Sequence, residues 1–469
     1  MQFDSFTFVV FLAIVLGVYN ALRGWSARKW FLLAASYVFY AAWNPLFLPL
    51  LIGSATLDFW IAQRIRAAAA DVIRKRWIVA TLVVNLGVLG IFKYHAFLLA
   101  NLAALLALIG VRYVPARLDI VLPIGISFYT FHSLSYCLDI YRGKFAPTRN
   151  WRDYALYVAF FPQLVAGPIT RFTQMREQIE NPRRTTREGL AWGCALLVLG
   201  LFEKCVLADS VFAPVADGFF NAVAGASAAT AWSGTLAFSG QIFCDFAGYS
   251  TCAIGAAMAL GFVLPTNFRY PYAAIGFSDF WRRWHISLST WLRDYLYVSL
   301  GGNRRGEWRT YVNLMLTMLI GGLWHGAAWT FVIWGGLHGV YLAVERFVRE
   351  RLWPAAARPP AWLRAGYGLL TLLLVSLAWI WFRAPEAATA WQATSRLAAV
   401  SAPGASAEQW LAIAAFAAVT AVHWLMRERD LKTVGLRMPA PLLGALLGAM
   451  LALIALSPGD NHAFIYFQF

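Results

Sequence analysis

Apolar runs of bilayer-spanning or nearly spanning length follow one another along most of the chain. A straight transmembrane helix needs about 20 predominantly apolar residues, and the shorter runs predict helices that are tilted, broken or only partly inserted. We therefore predict an all-α polytopic membrane protein with eleven to fourteen membrane segments. No internal repeat or low-complexity linker divides residues 1–469, which are predicted to form a single domain. The runs lie at about 5–22, 30–43, 46–62, 77–92, 95–110, 119–140, 153–170, 189–208, 230–262 (counted as two segments), 308–326, 327–344, 366–382, 408–426 and 440–457.

The run from Tyr311 to Val344 contains no Asp, Glu, Lys or Arg, and it carries His325 in its middle, directly after Trp324. An ionisable side chain inside a membrane segment is costly, so it is a functional-site hypothesis by default. The alternative is a histidine that links helices by hydrogen bonds. Small neighbours would let a substrate approach the imidazole, although they equally suit tight helix packing. These neighbours are Gly321, Gly322 and Gly326.

A second histidine of the same run, His338, lies thirteen residues after His325. On an unbroken helix this spacing places the two side chains on nearly opposite faces. A shared site would require a break at Gly335 and Gly336, and we therefore predict a structural role for His338. The histidines that lack supporting polar neighbours are also predicted to be structural; they are His95, His132, His423 and His462.

The segment 276–300 has the pattern of an amphipathic helix rather than of a simple membrane span. Its aromatic and leucine residues recur at spacings of three and four, with charged residues between them. We predict one helix that lies in the membrane interface or dips into it, with Ser278 as its N-cap. His285 lies on this helix, where it either meets water or, if the helix folds inward, shares a site with His325. The apolar positions are Phe277, Phe280, Trp281, Trp284, Leu288, Trp291 and Leu292.

Basic loops predict the orientation of the chain, because loops rich in Lys and Arg stay in the cytoplasm. The alternation of these loops places the N-terminus outside, but the basic loop 142–152 breaks it if 119–140 crosses completely. A re-entrant or broken helix restores the alternation, and irregular backbone at membrane depth is tolerated only against protein or a cavity. We therefore predict that 122–133 lines the interior.

Composition agrees with a membrane protein and limits its partners. Charged residues make up 13% of the chain and hydrophobic residues 60%, whereas a soluble domain has about 25% charged residues. The net charge of +16 is expected from basic cytoplasmic loops and contact with anionic membrane lipids, and the alternative is an attraction for anionic substrates. These basic residues lie in short loops rather than on one soluble face, so we predict no nucleic-acid partner.

The sequence lacks the short motifs that mark metal sites and soluble enzymes. It has no HExxH motif and no cluster of Cys and His at ligand spacing, so we predict no metal. It also has no GxSxG, GxxxxGK[ST] or GxGxxG motif. These absences leave the buried histidines as the candidate chemistry.

Four stretches and one short ending carry a specific resemblance to a known family. They are FWRRWHISLSTWLRDYLYVSLGGNR (280–304), NLMLTMLIGGLWHGAAWTFVIWGGLHG (313–339), LPIGISFYTFHSLSYCLDIYRG (122–143), FFPQLVAGPITR (160–171) and FIYFQF (464–469). The joint occurrence of WHIS and LWHGA is specific, and the similarity covers most of the chain. The chain thereby resembles the membrane-bound O-acyltransferase (MBOAT) superfamily, in particular its bacterial branch.

This resemblance implies an MBOAT-type ring of tilted transmembrane and re-entrant helices around a central tunnel. His325 matches the family's catalytic histidine and His285 matches a second polar position, within a catalytic-motif region of about 276–345. Members of the branch take acetyl from a cytoplasmic thioester, for which acetyl-CoA is the expected donor, and no bound cofactor is implied. They pass acetyl across the inner membrane, often to a periplasmic acetyltransferase partner, for O-acetylation of an exopolysaccharide such as alginate.

In the resulting hypothesis, the neutral imidazole of His325 takes the proton of a hydroxyl group as this group attacks the thioester. Burial disfavours the imidazolium and so keeps the base available. His285 is expected to orient the thioester or to polarise its carbonyl group. Four tryptophans are expected to wall the tunnel and exclude water. They are Trp281, Trp284, Trp324 and Trp329.

Three alternatives stay open at this point. The glycan is alginate or another envelope glycan, such as cellulose or peptidoglycan. The chain is alternatively a transporter or flippase of lipid-linked sugar, although transporters often show two related halves and this chain shows none. The third alternative is a structural subunit that scaffolds a periplasmic enzyme.

Overall fold

The computed structural model describes residues 1–115, 120–165, 167–351, 360–399, 404–457 and 464–465. These residues form helices and connecting loops, and no strand occurs among them, as the predicted all-α class requires. His462 and residues 466–469 of the FIYFQF ending lie outside the described residues. The chain forms two compact units, namely unit 1 (Met1–Cys194 and Ala253–Pro265) and unit 2 (Ala195–Cys252 and Thr266–Phe469).

The helices are numbered in chain order. Unit 1 contains α1 (Phe6–Ala21), α2 (Trp25–Ala41), α3 (Leu48–Ala67), α4 (Asp71–Leu108), α5 (Ile126–Tyr141), α6 (Trp151–Ala159), α7 (Phe161–Leu164) and α8 (Phe172–Glu180). Two helices contribute residues to both units, namely α9 (Arg187–Phe220) and α10 (Ala228–Ala259). Unit 2 contains α11 (Phe277–Arg283), α12 (Ile286–Trp291), α13 (Glu307–His325), α14 (Trp329–Arg351), α15 (Ala361–Arg383), α16 (Ala387–Arg396), α17 (Ala407–Met426), α18 (Leu431–Arg437) and α19 (Ala440–Leu456).

Seven helices of the described residues are long and apolar enough to cross a membrane, namely α3, α4, α9, α10, α14, α15 and α17. Helices α1 and α19 are apolar but shorter. The predicted boundary between 77–92 and 95–110 is wrong, because α4 is continuous through a π-helical turn at Gly90–Tyr94. Run 230–262 is likewise one helix of 32 residues rather than two. Run 153–170 is not a single segment, because it is divided between α6 and α7.

Unit 1 is held together by buried polar contacts between its helices. Asp58 of α3 accepts hydrogen bonds from the Thr81 hydroxyl and from Nδ2 of Asn85 at 3.0 Å, both on α4. All three side chains are buried. In a membrane helix such groups need partners within the protein, because lipid offers none. The cluster therefore links α3 to α4.

Helix α5 lies in the interior of unit 1. It packs against α3 and α4, and every residue from Ile126 to Cys137 is buried. The helix starts only at Ile126, so the second half of the predicted 122–133 stretch is helical and interior. His132 accepts a hydrogen bond at Nε2 from the backbone N–H of Thr170 at 3.2 Å, a structural contact of the kind predicted for it.

Helices α13 and α14 form the tightest helix pair of unit 2. They are joined by a short turn, and their backbones meet at glycines. A Cβ atom added to Gly322 would lie 2.2 Å from the carbonyl oxygen of Phe331, and one added to Gly335 would lie 2.3 Å from that of Met318. Gly322 thus serves helix packing, which was one of the two roles considered for the glycines around His325.

We expect Gly322→Ala to destabilise unit 2, because the new methyl group must push α13 away from α14. Overpacking of this kind costs about 1–3 kcal/mol, and the unfolding temperature of the purified protein in detergent should fall accordingly. Gly336→Ala is the matched control, because the nearest atom to its added Cβ, Leu319 Cδ2, lies 3.5 Å away. Equal unfolding temperatures for the two variants would contradict this packing assignment.

Candidate functional site

The helix predicted over 276–300 is broken at the residue of interest. Helix α11 ends at Arg283 and α12 begins at Ile286, and His285 between them has a left-handed backbone with φ of 42°. This backbone conformation costs a residue other than glycine about 1–3 kcal/mol, and such strained residues tend to occur at functional sites. Among the non-glycine residues that the structure describes, only Tyr270 also has a positive φ. The prediction of a single helix was therefore wrong.

The burial pattern of this segment nevertheless agrees with the predicted apolar face. All its apolar positions are buried except Trp281, which is partly exposed. The predicted N-cap was wrong, because the helix begins at Phe277 and Gly276 occupies the cap position instead of Ser278. The N–H of Ser278 is bonded to Oε2 of Glu345 on α14 at 2.7 Å, which anchors the start of α11.

The other end of α11 is anchored by an ion-pair network. Asp279 pairs with Arg283 at 3.0 Å and with Arg427 at 2.8 Å. Burial by itself would raise the pKa of Asp279, but the N–H of Ile275 and the two guanidinium groups lower it below its usual value. The carboxylate therefore stays ionised and holds the helix that leads into His285.

His285 is fully buried and its tautomer is fixed by Asn267. Asn267 Oδ1 lies 3.1 Å from Nδ1 of His285 and also accepts hydrogen bonds from the N–H (3.3 Å) and hydroxyl (3.0 Å) of Ser287. A backbone N–H can only donate, so the atom facing both groups is the amide oxygen. Nδ1 of His285 therefore carries the proton, and Nε2 presents a lone pair. Within the described part of the chain, Nε2 has no hydrogen-bond partner.

His325 is the last residue of α13 and is 3% exposed. Its ring meets Trp324, Trp334 and Phe382 at centroid distances of 5.0, 5.1 and 5.5 Å, all at steep angles. A Cβ atom on Gly326 would lie 2.0 Å from the ring of Phe331, so glycine is required where the chain leaves the histidine. The imidazole is thus held between aromatic rings at the carbonyl end of a helix.

The structure brings the two predicted histidines together. The ring centroids of His285 and His325 are 6.4 Å apart, and Trp324 contacts both rings. This is the inward-folded alternative of the sequence analysis rather than the water-facing one, since neither ring is exposed.

His325 also lines a cavity of about 280 Å³ within unit 2. The exposed side chain of Arg293 lines the same cavity, which therefore extends from the surface to the buried histidine. The walls are almost entirely apolar and include Trp281, Leu288, Leu292, Met318, Gly321 and Trp334. A substrate in this cavity would meet the imidazole in a largely water-free environment, which strengthens electrostatic contacts.

The tryptophans predicted to wall the site have different positions. Trp281 lines the cavity and Trp324 packs on both histidines, whereas Trp284 is buried against Phe280. Trp329 is 57% exposed and does not line the cavity, contrary to the prediction. Trp334, which the sequence analysis did not single out, lines the cavity and packs edge-on against His325. The signal for it was present, because it lies in the same charge-free run as His325.

His338 reaches the same aromatic cluster by a route that the sequence did not indicate. The chain breaks at the turn after His325 and not at Gly335 and Gly336, so α14 folds back along α13. Trp334 and His338 lie one turn apart on α14, with ring centroids 4.9 Å apart, and Trp334 in turn packs against His325. His338 is fully buried, and in the described residues neither of its ring nitrogens has a hydrogen-bond partner. Its predicted structural role stays a prediction.

We expect Trp334→Leu to lower turnover about tenfold, because a displaced imidazole loses its alignment with the reacting atoms. Trp329→Leu removes the same indole from the exposed start of α14 and should leave turnover within about twofold. The turnover of the two purified variants, normalised to folded protein, checks this. Similar losses in both variants would exclude a specific role for Trp334.

Comparison with known proteins defines the class. The sequence model of the membrane-bound O-acyltransferase family matches residues 147–378, a range that includes both His285 and His325. The chain is 46% identical over 394 residues to a probable alginate O-acetylase of Azotobacter vinelandii, an alignment that covers 84% of this chain and 77% of the relative. It therefore belongs to the membrane-bound O-acyltransferase family, and it is a multi-pass membrane acyltransferase.

Two further relatives show that similar proteins have different named activities. A probable alginate O-acetylase of Pseudomonas aeruginosa is 45% identical over 395 residues, which cover 84% of this chain and 74% of the relative. A peptidoglycan O-acetyltransferase of Helicobacter pylori is 38% identical over 385 residues, which cover 76% of this chain and 71% of the relative.

The described residues contain no group of three or more His, Cys, Asp or Glu side chains that could hold a metal ion.

Proposed function

We propose that this acyltransferase takes acetyl from a cytoplasmic thioester, with acetyl-CoA as the donor, and passes it across the inner membrane. The acetyl group then serves O-acetylation of an exported polysaccharide such as alginate. The similarity to two probable alginate O-acetylases supports this assignment. The observation that carries it is the buried pair His285 and His325, of which His325 lines an apolar cavity.

In the proposed mechanism His325 is the general base. Its imidazole takes the proton of the acceptor hydroxyl while the hydroxyl oxygen bonds to the carbonyl carbon of the thioester. The carbon–sulfur bond then breaks, the thiolate leaves as coenzyme A, and the imidazolium returns its proton to the sulfur. The position of His325 supports this role, because the carbonyl end of α13 stabilises the transient cation by about 0.3–1 kcal/mol.

We assign His285 to orienting the thioester, one of the two roles inferred from the sequence. The other role, polarisation of the thioester carbonyl, requires a hydrogen-bond donor, whereas the Asn267 contact leaves a lone pair on Nε2. This lone pair would accept a hydrogen bond from an N–H group of the thioester donor, while the proton of the acceptor hydroxyl goes to His325.

The relative size of these effects decides which residues matter most. A positioned base contributes roughly 10²–10⁴ in rate. Holding donor and acceptor in a near-attack geometry contributes about 7–11 kcal/mol. Positioning therefore lowers the barrier more than the base does, which gives the aromatic walls of the cavity a catalytic purpose beyond burial.

The remaining parts of the proposal concern partners and location. We place the protein in the inner membrane as a single catalytic domain of residues 1–469, with the chemistry in about 276–345. Its partners would be the acyl thioester, membrane lipids, a periplasmic acetyltransferase and the exopolysaccharide. No metal, bound cofactor or nucleic acid takes part.

A second candidate acceptor is peptidoglycan, which is favoured by the 38% identity to the Helicobacter pylori peptidoglycan O-acetyltransferase. Analysis of O-acetylated glycans from cells with and without this protein separates the two. Loss of acetyl from exported polysaccharide alone supports the first candidate, and loss from the cell wall alone supports the second.

The test of the reaction itself uses the purified protein in lipid vesicles with labelled acetyl-CoA and a hydroxyl acceptor. Free coenzyme A should appear in step with the acetylated acceptor. A transporter or flippase would move its cargo without releasing coenzyme A, and a scaffold would do neither. Polymer acetylation that persists in cells carrying a variant without the His325 imidazole would likewise favour the scaffold.

A further inference from the structure

A second cavity lies within unit 1 and shares no residue with the candidate catalytic site. Its volume of about 380 Å³ lies within the roughly 300–1,000 Å³ that is usual for small-molecule sites. Two arginines line it from neighbouring helices, namely Arg66 in the last turn of α3 and Arg74 at the start of α4. Within the described part of the chain its lining contains no Asp or Glu, and we call it the basic pocket.

The two guanidinium groups of the basic pocket are held differently. Arg74 pairs with Asp71 at 3.1 Å and donates to the carbonyl oxygen of Tyr141 at 2.7 Å. The carboxylate of Asp71 is 91% exposed, so water weakens this ion pair. Arg66 is exposed and takes no part in these contacts. One guanidinium is therefore oriented by the protein while the other can turn towards a ligand, and the planar fork of arginine suits a phosphate group.

The segment that carries both arginines is strongly basic. Residues 64–76 include five Lys or Arg side chains and a single acidic one, Asp71. Clusters of about four to eight basic residues next to a membrane helix are typical of sites for anionic lipids. The charge of the segment thus favours an anion at the membrane surface.

The basic pocket lies at the level of the lipid headgroups. Helices α3 and α4 are both long and apolar enough to cross a membrane, and the pocket is at the turn that joins them. Trp60 of α3 and Trp77 of α4 meet edge to face at 5.0 Å between ring centroids, and tryptophan is enriched at membrane interfaces. Val72 and Ile73 at the start of α4 are 65% and 46% exposed. They offer an apolar surface beside the pocket, which suits a ligand that has acyl chains as well as a charged group.

We infer that the basic pocket binds the phosphate group of an anionic phospholipid. Arg66 and Arg74 would hold the phosphate by charge-assisted hydrogen bonds, and the acyl chains would lie along the exposed apolar side chains of α4. A phosphate on a soluble molecule offers the same chemistry to the arginines but has no acyl chains for this surface. The inference concerns unit 1 and does not depend on the reaction proposed at His325.

The experiment measures lipid binding to the full-length protein in detergent by native mass spectrometry. Phosphatidylglycerol and phosphatidylcholine with identical acyl chains are compared, since only the first has a net negative charge. Wild type should bind phosphatidylglycerol at least about tenfold more tightly. The double variant Arg66→Gln, Arg74→Gln should lower the ratio of the two affinities about tenfold or more, because the neutral side chains lose the attraction for the anionic headgroup.

Lys75→Gln combined with Arg76→Gln is the matched control. It removes the same charge from the same basic segment, but neither residue lines the basic pocket. At about 0.15 M salt, exposed charges more than about 8 Å apart are largely screened, so the affinity ratio should stay within about twofold of the wild-type value. Equal decreases in the two double variants would indicate a diffuse basic surface and overturn the inference.

Two further outcomes decide the source of the phosphate and the role of the arginines. Displacement of phosphatidylglycerol by inorganic phosphate or by free coenzyme A would assign the basic pocket to soluble phosphates and overturn the lipid assignment. Arg74 also holds the carbonyl of Tyr141, so the double variant might not fold for that reason alone. Arg66→Gln by itself should then lower the affinity ratio about fivefold, and an unchanged ratio in this folded variant would overturn the inference.

Discussion

Replacing His325 by alanine is expected to lower kcat for acyl transfer about 10²- to 10⁴-fold, the contribution of a positioned general base. The acceptor hydroxyl would then have to lose its proton without help inside a site that excludes water. The KM for the thioester donor should change little, because the aliphatic wall of the cavity remains. Transfer of labelled acetyl in membranes, normalised to the amount of folded protein, measures both quantities.

His95→Ala serves as the control for expression and insertion. This histidine lies on α4 in unit 1, whereas the cavity lies in unit 2. The His95→Ala variant should retain wild-type acyl transfer. Normal transfer by a folded His325→Ala protein would remove His325 from the mechanism, and an equal loss in both variants would indicate a general effect on the membrane fold.

The apolar pattern of the sequence predicted most helices because burial in lipid or protein demands long apolar stretches. It failed where a polar residue interrupts a run without ending the helix. The predicted runs 77–92 and 95–110 leave out Lys93 and Tyr94, but the backbone continues through a π-helical turn in α4. A helix that keeps its backbone hydrogen bonds can carry such residues, so periodicity alone does not reveal the continuity.

At the candidate site the sequence pattern failed in the opposite way, because it predicted a continuous helix where the helix is broken. No glycine or proline marks the break at His285, and the three- and four-residue spacing continues across it. The left-handed conformation is imposed by tertiary contacts, among them the hydrogen bond that the N–H of Ile286 donates to the carbonyl oxygen of Asn267 at 2.9 Å. Local helix propensity does not depend on a contact between residues as far apart as Asn267 and Ile286. The sequence therefore predicted one helix where the structure has two.

The same limit explains which site residues were found and which were missed. His325 was visible because it is an ionisable side chain in a charge-free run. Asn267 was not, because it lies in a loop before α11 and matters only through its contact with His285. Asn267 acts through another residue, so it can be identified only from the structure. His325 lies in an unusual local environment, so it can be identified from the sequence.

The second large effect is expected at the His285–Asn267 pair. His285→Ala should lower kcat by about 10²-fold, and Asn267→Ala, which removes the amide that orients the imidazole and accepts hydrogen bonds from Ser287, by about tenfold. The double variant should be no slower than His285→Ala alone, because both changes act through one hydrogen bond and such effects are not additive. His285→Asn should recover part of the activity, since asparagine tolerates the left-handed backbone and keeps an acceptor oxygen.

Asn313→Ala is the matched control for this pair. Asn313 is a fully buried asparagine of unit 2 that donates to the carbonyl of Gly302 at 2.9 Å and does not line the cavity. Asn313→Ala should lower the stability of the protein and leave kcat within about twofold of the wild-type value. Additive losses in the double variant would mean that Asn267 acts independently of His285. A His285→Ala protein that fails to fold, together with a fully active His285→Asn protein, would assign the imidazole to structure, because only the backbone conformation would then matter.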